Sequence, residues 1–441
     1  MAQSGYKREY GWMLGIGLGV LGGMVLPMGC SRSGAEKGQV ELVVWSAPTG
    51  PEEKGFLRLC RRFEQEHPSI KVHNVGASTE EKLVRAIVAA TPPDLAYIYG
   101  TTTLGPLAAH SALQPLNTFF ARSGLKESDF LPGAIQQGYY QGSLYAMPVT
   151  RDSRGLYWNR TRFREAGLDP DTPPKTLEEL MSFAKRLTSY RPDGSVEKLG
   201  VFLPEDPTIL FAQFGGEACD RQTGKITANR PENIAALHWM VELADAQGGY
   251  RAFAAFKSGF GREDSGQNPL ATGKVALRMN GEWGAMHIEK FAPNTDYSIG
   301  EMPYPASRPD LKNLAWQDGD IMVIPTGSHH PEAAWEFMRW MQLPAQQEEY
   351  AILMNNLPSI LALRDSPRLS QGSHSRRVLG YVFSHIASNA KNAHFFPSLP
   401  TTQLYRNALQ DAFDRALYHE KTPEKALNDV QTRLEREEKR Y

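Results

Sequence analysis

Between Val40 and Tyr99 the chain switches its apolar period four times, and that alternation restricts the fold more than any other feature. Val40-Glu41-Leu42-Val43-Val44-Trp45 is a nearly unbroken apolar run, the pattern of a strand covered on both faces. Phe56, Leu59, Cys60 and Phe63 then fall at helical spacing, and Ile70-Lys71-Val72-His73-Asn74-Val75 returns to strand. Leu83, Val84, Ile87 and Val88 form another helical stripe before Pro92-Pro93-Asp94 introduces Leu95-Ala96-Tyr97-Ile98-Tyr99. Strand, helix, strand, helix, strand predicts an α/β layer with parallel strands. Solutes bind such sheets beyond the carboxyl ends of the strands. Those ends carry Trp45-Ser46 and Tyr99-Gly100-Thr101-Thr102, so Trp45, Ser46, Tyr99 and Thr101 are candidate binding residues.

At 441 residues the chain is too long for one ordinary core, and two globular halves are expected. Lys+Arg 48 against Asp+Glu 49 leaves a net charge of -1, which excludes the electrostatic footprint of a nucleic-acid binder. The first thirty residues stand apart. Lys7 and Arg8 precede an uncharged apolar run from Gly11 to Leu26, then Pro27-Met28-Gly29-Cys30 and a small polar stretch to Gly38. That order predicts an export signal over 1–29 and a polar tether over 30–38. Gly29-Cys30 resembles the cleavage point of a bacterial lipoprotein signal, which would make Cys30 a lipid anchor; an uncleaved anchor helix is the alternative reading. Gly17-Leu18-Gly19-Val20-Leu21-Gly22 matches GxGxxG in form only, since no strand precedes it. Cys60 and Cys219 are read as unpaired structural thiols.

A second α/β section begins after Tyr145-Ala146-Met147-Pro148-Val149. Thr176-Leu177-Glu178-Glu179 is a capping box, and Leu177, Leu180, Met181, Ala184 and Leu187 repeat on one helical face. Leu237, Met240, Val241 and Ala244 do the same. Thr422-Pro423-Glu424 supplies a cap, a first-turn proline and a first-turn carboxylate. A different signal lies at 274–284, where the apolar run Lys274-Val275-Ala276-Leu277-Arg278-Met279 stops at Gly281-Glu282-Trp283-Gly284. A core tryptophan belongs inside an element; this one sits at a rim, between glycines and beside a carboxylate.

Four stretches together resemble the extracellular solute-binding proteins of bacterial ABC importers, family 1, the sugar-binding group that includes maltose-binding proteins. They are Gly142-Ser143-Leu144-Tyr145-Ala146-Met147-Pro148 with Leu156-Tyr157-Trp158-Asn159 and Phe163-Arg164-Glu165-Ala166-Gly167-Leu168; the 271–288 passage around Trp283; Asp320-Ile321-Met322-Val323-Ile324-Pro325 through Pro331-Glu332-Ala333-Ala334-Trp335-Glu336-Phe337-Met338; and Thr422 to Leu427. The chain departs from the family at Trp316-Gln317-Asp318-Gly319-Asp320, where many members carry Gly-Gly.

The resemblance implies an α/β, two-lobed periplasmic-binding-protein-like fold of type II, each lobe a sheet flanked by helices, the two joined by hinge crossovers. Lobe 1 is expected over 39–148 plus 301–343 and lobe 2 over 149–300 plus 344–441. The implied function is solute capture between the lobes and delivery to an ABC permease by a monomeric protein tethered outside the cytoplasm, without cofactor or metal. A sugar ring has an apolar C–H face and a hydroxyl rim, so its receptor needs flat aromatic surface and lateral polar groups. Trp283 would present its indole to the cleft and Glu282 would bond hydroxyls; the plainer reading has Trp283 capping a core. Arg151 and Asp152 either grip solute or pair with each other. Trp316, Asp318 and Asp320 approach the second crossing, or form a solvated loop, and Asn356 either reaches the cleft or shapes a turn. His329-His330 is read as a turn and cap before Pro331. A carbohydrate hydrolase is the rival class, because aromatic rings beside carboxylates would suit it. Glycerol-phosphate, a polyamine or a metal chelate are the rival cargoes on the same fold, and Arg151 keeps the anionic option open.

Overall fold

The computed structural model describes residues 38–439, except 132, 205, 207, 221–223, 262, 264, 313–314, 317, 388–392 and 397. The expected signal segment 1–29, tether residues 30–37 and the anchor Cys30 lie outside the described residues. Among the described residues no helix is long and apolar enough to cross a membrane.

β1 (Val40–Ser46), β2 (Ile70–Val75) and β3 (Leu95–Ile98) follow the alternation of apolar period. β1 runs parallel to both neighbours, Val40 opposite Ile70 and Val44 opposite Leu95. Parallel neighbours require a crossover each time, and the helices Gly50–Glu66 and Glu80–Val88 supply it. The chain then makes a hairpin, β4 (Tyr139–Tyr140) with β5 (Ser143–Leu144), and β6 (Ala146–Pro148). Beyond it come β7 (Arg154–Asn159), β8 (Ser189–Tyr190), β9 (Val196–Phe202), β10 (Val275–Gly281) and β11 (Tyr297–Gly300). Last are β12 (Ala315–Trp316), β13 (Ile321–Val323) and β14 (Ala393–His394). Among the described residues the strands form two five-stranded sheets, β2-β1-β3-β13-β6 and β11-β7-β10-β9-β8. β13 enters the first sheet antiparallel to β3 and β6, and β7 runs antiparallel to β10 and β11. Each sheet with its helices is one lobe.

Local signals are realised closely. Thr176 Oγ1 accepts from Glu179 N at 3.1 Å while Glu179 reaches back to Thr176 N at 3.3 Å. Thr422 caps the helix Pro423–Glu438. His329 and His330 sit in a turn, both main-chain amides donating to Asp94 Oδ1. Cys60 and Cys219 are both buried. The stripe on Glu80–Val88 differs from expectation: Leu83 and Ala86 are buried, whereas Val84 is 37% and Val88 82% exposed. Positions 84 and 88 stand one residue, roughly 100°, around the helix from 83 and 87, and the sheet covers only one of the two rows.

Among the described residues three segments cross between the lobes, the middle one pairing with the other two. Val149 to Ser153 is the middle one. Val149 N donates to Asp320 O and Asp152 N to Asp318 O, both at 2.8 Å, on one side, and Arg151 N donates to Leu357 O at 2.9 Å on the other. Gly319 is required at this crossing, because a Cβ there would lie 2.3 Å from the Thr150 carbonyl oxygen. Gly319→Ala is expected to spread the ribbon and lower the unfolding free energy by roughly 1–3 kcal/mol, measurable by urea titration. An unchanged midpoint would contradict this packing.

The lobe boundaries need correction. The helix Pro344–Met354, assigned above to lobe 2, stays with lobe 1: Glu349 ion-pairs with Arg58 and Arg62 of Gly50–Glu66, and the Tyr350 hydroxyl lies 2.6 Å from that of Tyr97 in β3. The crossing falls at Asn355 instead of 343. Residues from 301, assigned to lobe 1, remain with lobe 2, where Tyr304 O accepts from Leu177 N at 2.9 Å. Side-chain contacts in the first place, and main-chain pairing in the second, carry the chain past the motif that marked the boundary.

Candidate functional site

At the carboxyl ends of the lobe 1 strands is a cavity of about 430 Å³, lined by Ala47, Thr49, Ser78, Glu80 and Tyr99 of lobe 1 and reached from lobe 2 by Gln403. Ser46 ends β1 fully buried, its Oγ without a hydrogen-bond partner among the described residues and its carbonyl accepting from Ser78 N at 2.9 Å. Tyr99 is 43% exposed, and its hydroxyl donates to Glu52 at 2.7 Å. Thr101 is buried and its carbonyl accepts from Leu104 N at 3.1 Å. Trp45 is half-buried with the Lys82 ammonium 4.6 Å from its ring centre.

The crossing ribbon gathers a second group: Arg151, Asp152, Asp318, Asp320 and Asn356, three separate stretches of sequence brought to one place. Asp320 Oδ2 accepts from the Tyr97 hydroxyl at 2.9 Å and Oδ1 from Gly100 N at 3.3 Å, which ties the hinge to the end of β3. Asn356 Nδ2 and Thr150 Oγ1 approach Asp152 Oδ1 at 3.5 and 3.4 Å. Burial, and then the Asp318 carboxylate, push the Asp152 carboxyl up to about 7. Asp320 and Glu282 are raised in the same way, by burial and then by Asp152. Burial lowers the Arg151 guanidinium to about 9 against the opposing pull of Asp318, Asp152 and Glu282. The cluster therefore holds more carboxyl groups than cations in a dry place, and protons compensate for part of the difference.

Glu282 is fully buried. Its two oxygens accept from Ser153 N at 3.1 Å and Leu357 N at 3.2 Å, and Asn355 Nδ2 donates to its carbonyl at 3.2 Å. The carboxylate expected to bond solute hydroxyls is thus occupied by the amides of two crossing segments; it is a hinge group in this conformation. Trp283 begins the helix Trp283–Phe291 directly after β10. Its ring folds back onto Gly281, where a Cβ would meet ring carbon Cζ3 at 2.1 Å. The Arg154 guanidinium lies 4.5 Å from the ring centre and ion-pairs with Asp318 at 3.2 Å. Burial opposes the charge of Arg154, yet Asp318, Asp152 and Glu282 outweigh it, and its pKa is raised. The backbone of Trp316 pairs in β12 opposite His394 of β14; its side chain lies outside the described residues.

Arg154, Glu80 and Gln403 escaped sequence reading. Arg154 reaches the indole because β7 and β10 pair with Arg154 opposite Gly281, a register invisible in the sequence. Its one signal is a charge opening the otherwise apolar run Gly155-Leu156-Tyr157-Trp158. Gln403 is some three hundred positions from the strands it faces, and nothing local marks it. Among the described residues no group of three His, Cys, Asp or Glu side chains could hold a metal ion.

Two α/β lobes, three crossing segments and a cavity at the strand ends define a type II periplasmic-binding-protein-like receptor. Residues 58–375 match the bacterial extracellular solute-binding protein family, and the chain belongs to it. It is 25% identical over 375 residues to the sn-glycerol-3-phosphate-binding periplasmic protein UgpB of Shigella dysenteriae serotype 1, covering 80% of this chain and 81% of that one. The Escherichia coli K12 protein of the same name is 24% identical over the same length. Among solved structures, CpMnBP1 with mannotriose bound superposes with a TM-score of 0.78 at 27% identity, covering 89% of this chain and 99% of that one. The cyclic alpha-maltosyl-1,6-maltose binding protein from Arthrobacter globiformis shares the fold, with a TM-score of 0.71 at 21% identity and coverage of 90% and 98% of the two chains.

Proposed function

We propose that this protein captures a neutral sugar or short oligosaccharide between its lobes, without altering it, and presents the closed form to an ABC permease. The observation that carries this reading is the chemistry of the cavity wall. Hydroxyls of Thr49, Ser78 and Thr79, the carboxylates of Glu80 and Glu81 and the ring of Tyr99 line it, and no lysine or arginine is among the described lining residues. Such a wall matches hydroxyls and a C–H face, and repels a phosphate. Trp283 is the proposed stacking surface from lobe 2, with Trp45, Ser46, Tyr99 and Thr101 contributing from lobe 1 and Arg151, Asp152, Asp318, Asp320 and Asn356 as the floor. In the same reading the protein is monomeric, exported and tethered at Cys30.

A second reading, glycerol-phosphate, is favoured by the name its curated relatives carry. It would draw on Arg151 or Arg154, each already facing carboxylates, or on Lys82 and Arg406 at the cavity margin, which face Trp45 and Glu80. A thermal-shift panel separates the two. Mannotriose or maltose at about 100 times its dissociation constant is expected to stabilise the protein by roughly 3 kcal/mol, and glycerol-3-phosphate by nothing measurable. Stabilisation by glycerol-3-phosphate alone would overturn the sugar reading, and release of reducing ends from the bound oligosaccharide would overturn the non-enzymatic one.

A further inference from the structure

The hinge closes one side of the cleft, and a main-chain contact between the lobes closes another. The helix Leu104–Ala109 belongs to lobe 1, where Leu104 and Leu107 are buried with Ile98, Ile321 and Val323. Its second residue, Gly105, lies against the backbone of Leu399 from lobe 2. A Cβ on Gly105 would stand 2.3 Å from the Leu399 carbonyl oxygen and 2.6 Å from its nitrogen. Leu399 is itself fixed: its N–H donates to Thr402 Oγ1 at 2.7 Å, and the same hydroxyl donates to its carbonyl at 2.8 Å. Thr402 opens the helix Thr402–Leu417, which packs on Pro423–Glu438 and Pro231–Asp245 of lobe 2. Gln403 on that helix reaches the cavity. Three residues on, Arg406 acts on Glu80 of lobe 1 and pairs with Asp206 at 2.8 Å.

An approach this close between two backbones is open only to glycine. Inside one rigid lobe such a contact would persist at all times. Between two lobes that rotate about a hinge, it exists only when the cleft is shut. We propose that Gly105 against Leu399 is the closure seal of this receptor, so that the population of the closed form depends on the absence of a side chain at position 105. The inference rests on the reading that the lobes close on a solute. In the open form a side chain at 105 meets nothing from lobe 2, so the substitution acts on one state and shifts the equilibrium by the difference.

The test compares wild type with Gly105→Val and Gly105→Ala, each carrying spin labels at Val88→Cys and Gln410→Cys, both exposed, in a Cys30→Ser background. The ligand-free wild type is expected to have a short-distance population that Gly105→Val abolishes and Gly105→Ala reduces, with the unfolding midpoint unchanged. Affinity for mannotriose as probe is expected to fall at least tenfold in Gly105→Val. Identical distance distributions in wild type and Gly105→Val overturn the seal, whatever mannotriose does. So does a midpoint lowered by several degrees with closure intact, the mark of a glycine packed within one rigid body. Loss of the mannotriose response in wild type sinks the sugar reading instead, and the label distances still decide the seal.

Discussion

Glu282→Ala is expected to lower the thermal midpoint by on the order of 5 °C and to weaken solute binding in parallel. The carboxylate is fully buried and accepts one amide from each of two crossing segments, Ser153 and Leu357. Removing it leaves both N–H groups buried without an acceptor, at a cost of about 1–3 kcal/mol each. Some of that loss is recovered, because burial and then Asp152 oppose the charge of Glu282. Glu282→Gln separates the two effects: it relieves the charge, keeps the shape, and sets one amide donor against another. Calorimetry on the three proteins checks the order, with wild type most stable and Ala least. If Ala unfolds at the wild-type temperature, the carboxylate does not bind the ribbon together.

Asp152 should make stability fall as pH rises across the range from 3.8 to about 7. In the unfolded chain the group loses its proton near 3.8, whereas in the folded protein burial and then Asp318 hold it until about 7. Between those values the unfolded state binds fewer protons, so folding stability decreases with pH, is highest at the acid end, and flattens above the folded value. Asp320 and Glu282 shift in the same direction and steepen the fall. Arg151 acts oppositely at high pH: its folded pKa is depressed to about 9, so stability recovers as pH rises beyond that. Asp152→Asn imitates the protonated form. It is expected to unfold roughly 2 kcal/mol later than wild type at pH 8, with the difference vanishing near pH 4. Urea titrations at four pH values measure this, and a wild-type stability that rises from pH 4.5 to 7 would refute the assignment.

The elements that were legible in the sequence share one property, that their cause lies within a few residues. Alternating apolar periods from Val40 to Tyr99 require crossovers and thus parallel strands, and β1 with its two neighbours follows. The caps at Thr176 and Thr422 need only a hydroxyl and an amide three residues on. Glu80–Val88 marks the limit of such reasoning, since a helical stripe two rows wide does not say which row the sheet will cover.

The proposed binding region divides in the same way. By itself the sequence determined the α/β layer, the expectation of two halves, the strand ends that carry Trp45, Ser46, Tyr99 and Thr101, and the unusual position of Trp283; the two-lobed class followed from the family resemblance. Only the tertiary structure decided that Glu282 serves the hinge, that Arg154 stacks on Trp283 through the register of β7 and β10, that the crossing falls at Asn355, and that Gly105 meets Leu399. The physical reason is that a carboxylate's role depends on which donors reach it and on how dry the place is. Both are settled by chain segments hundreds of residues apart, whose meeting leaves no local periodic trace.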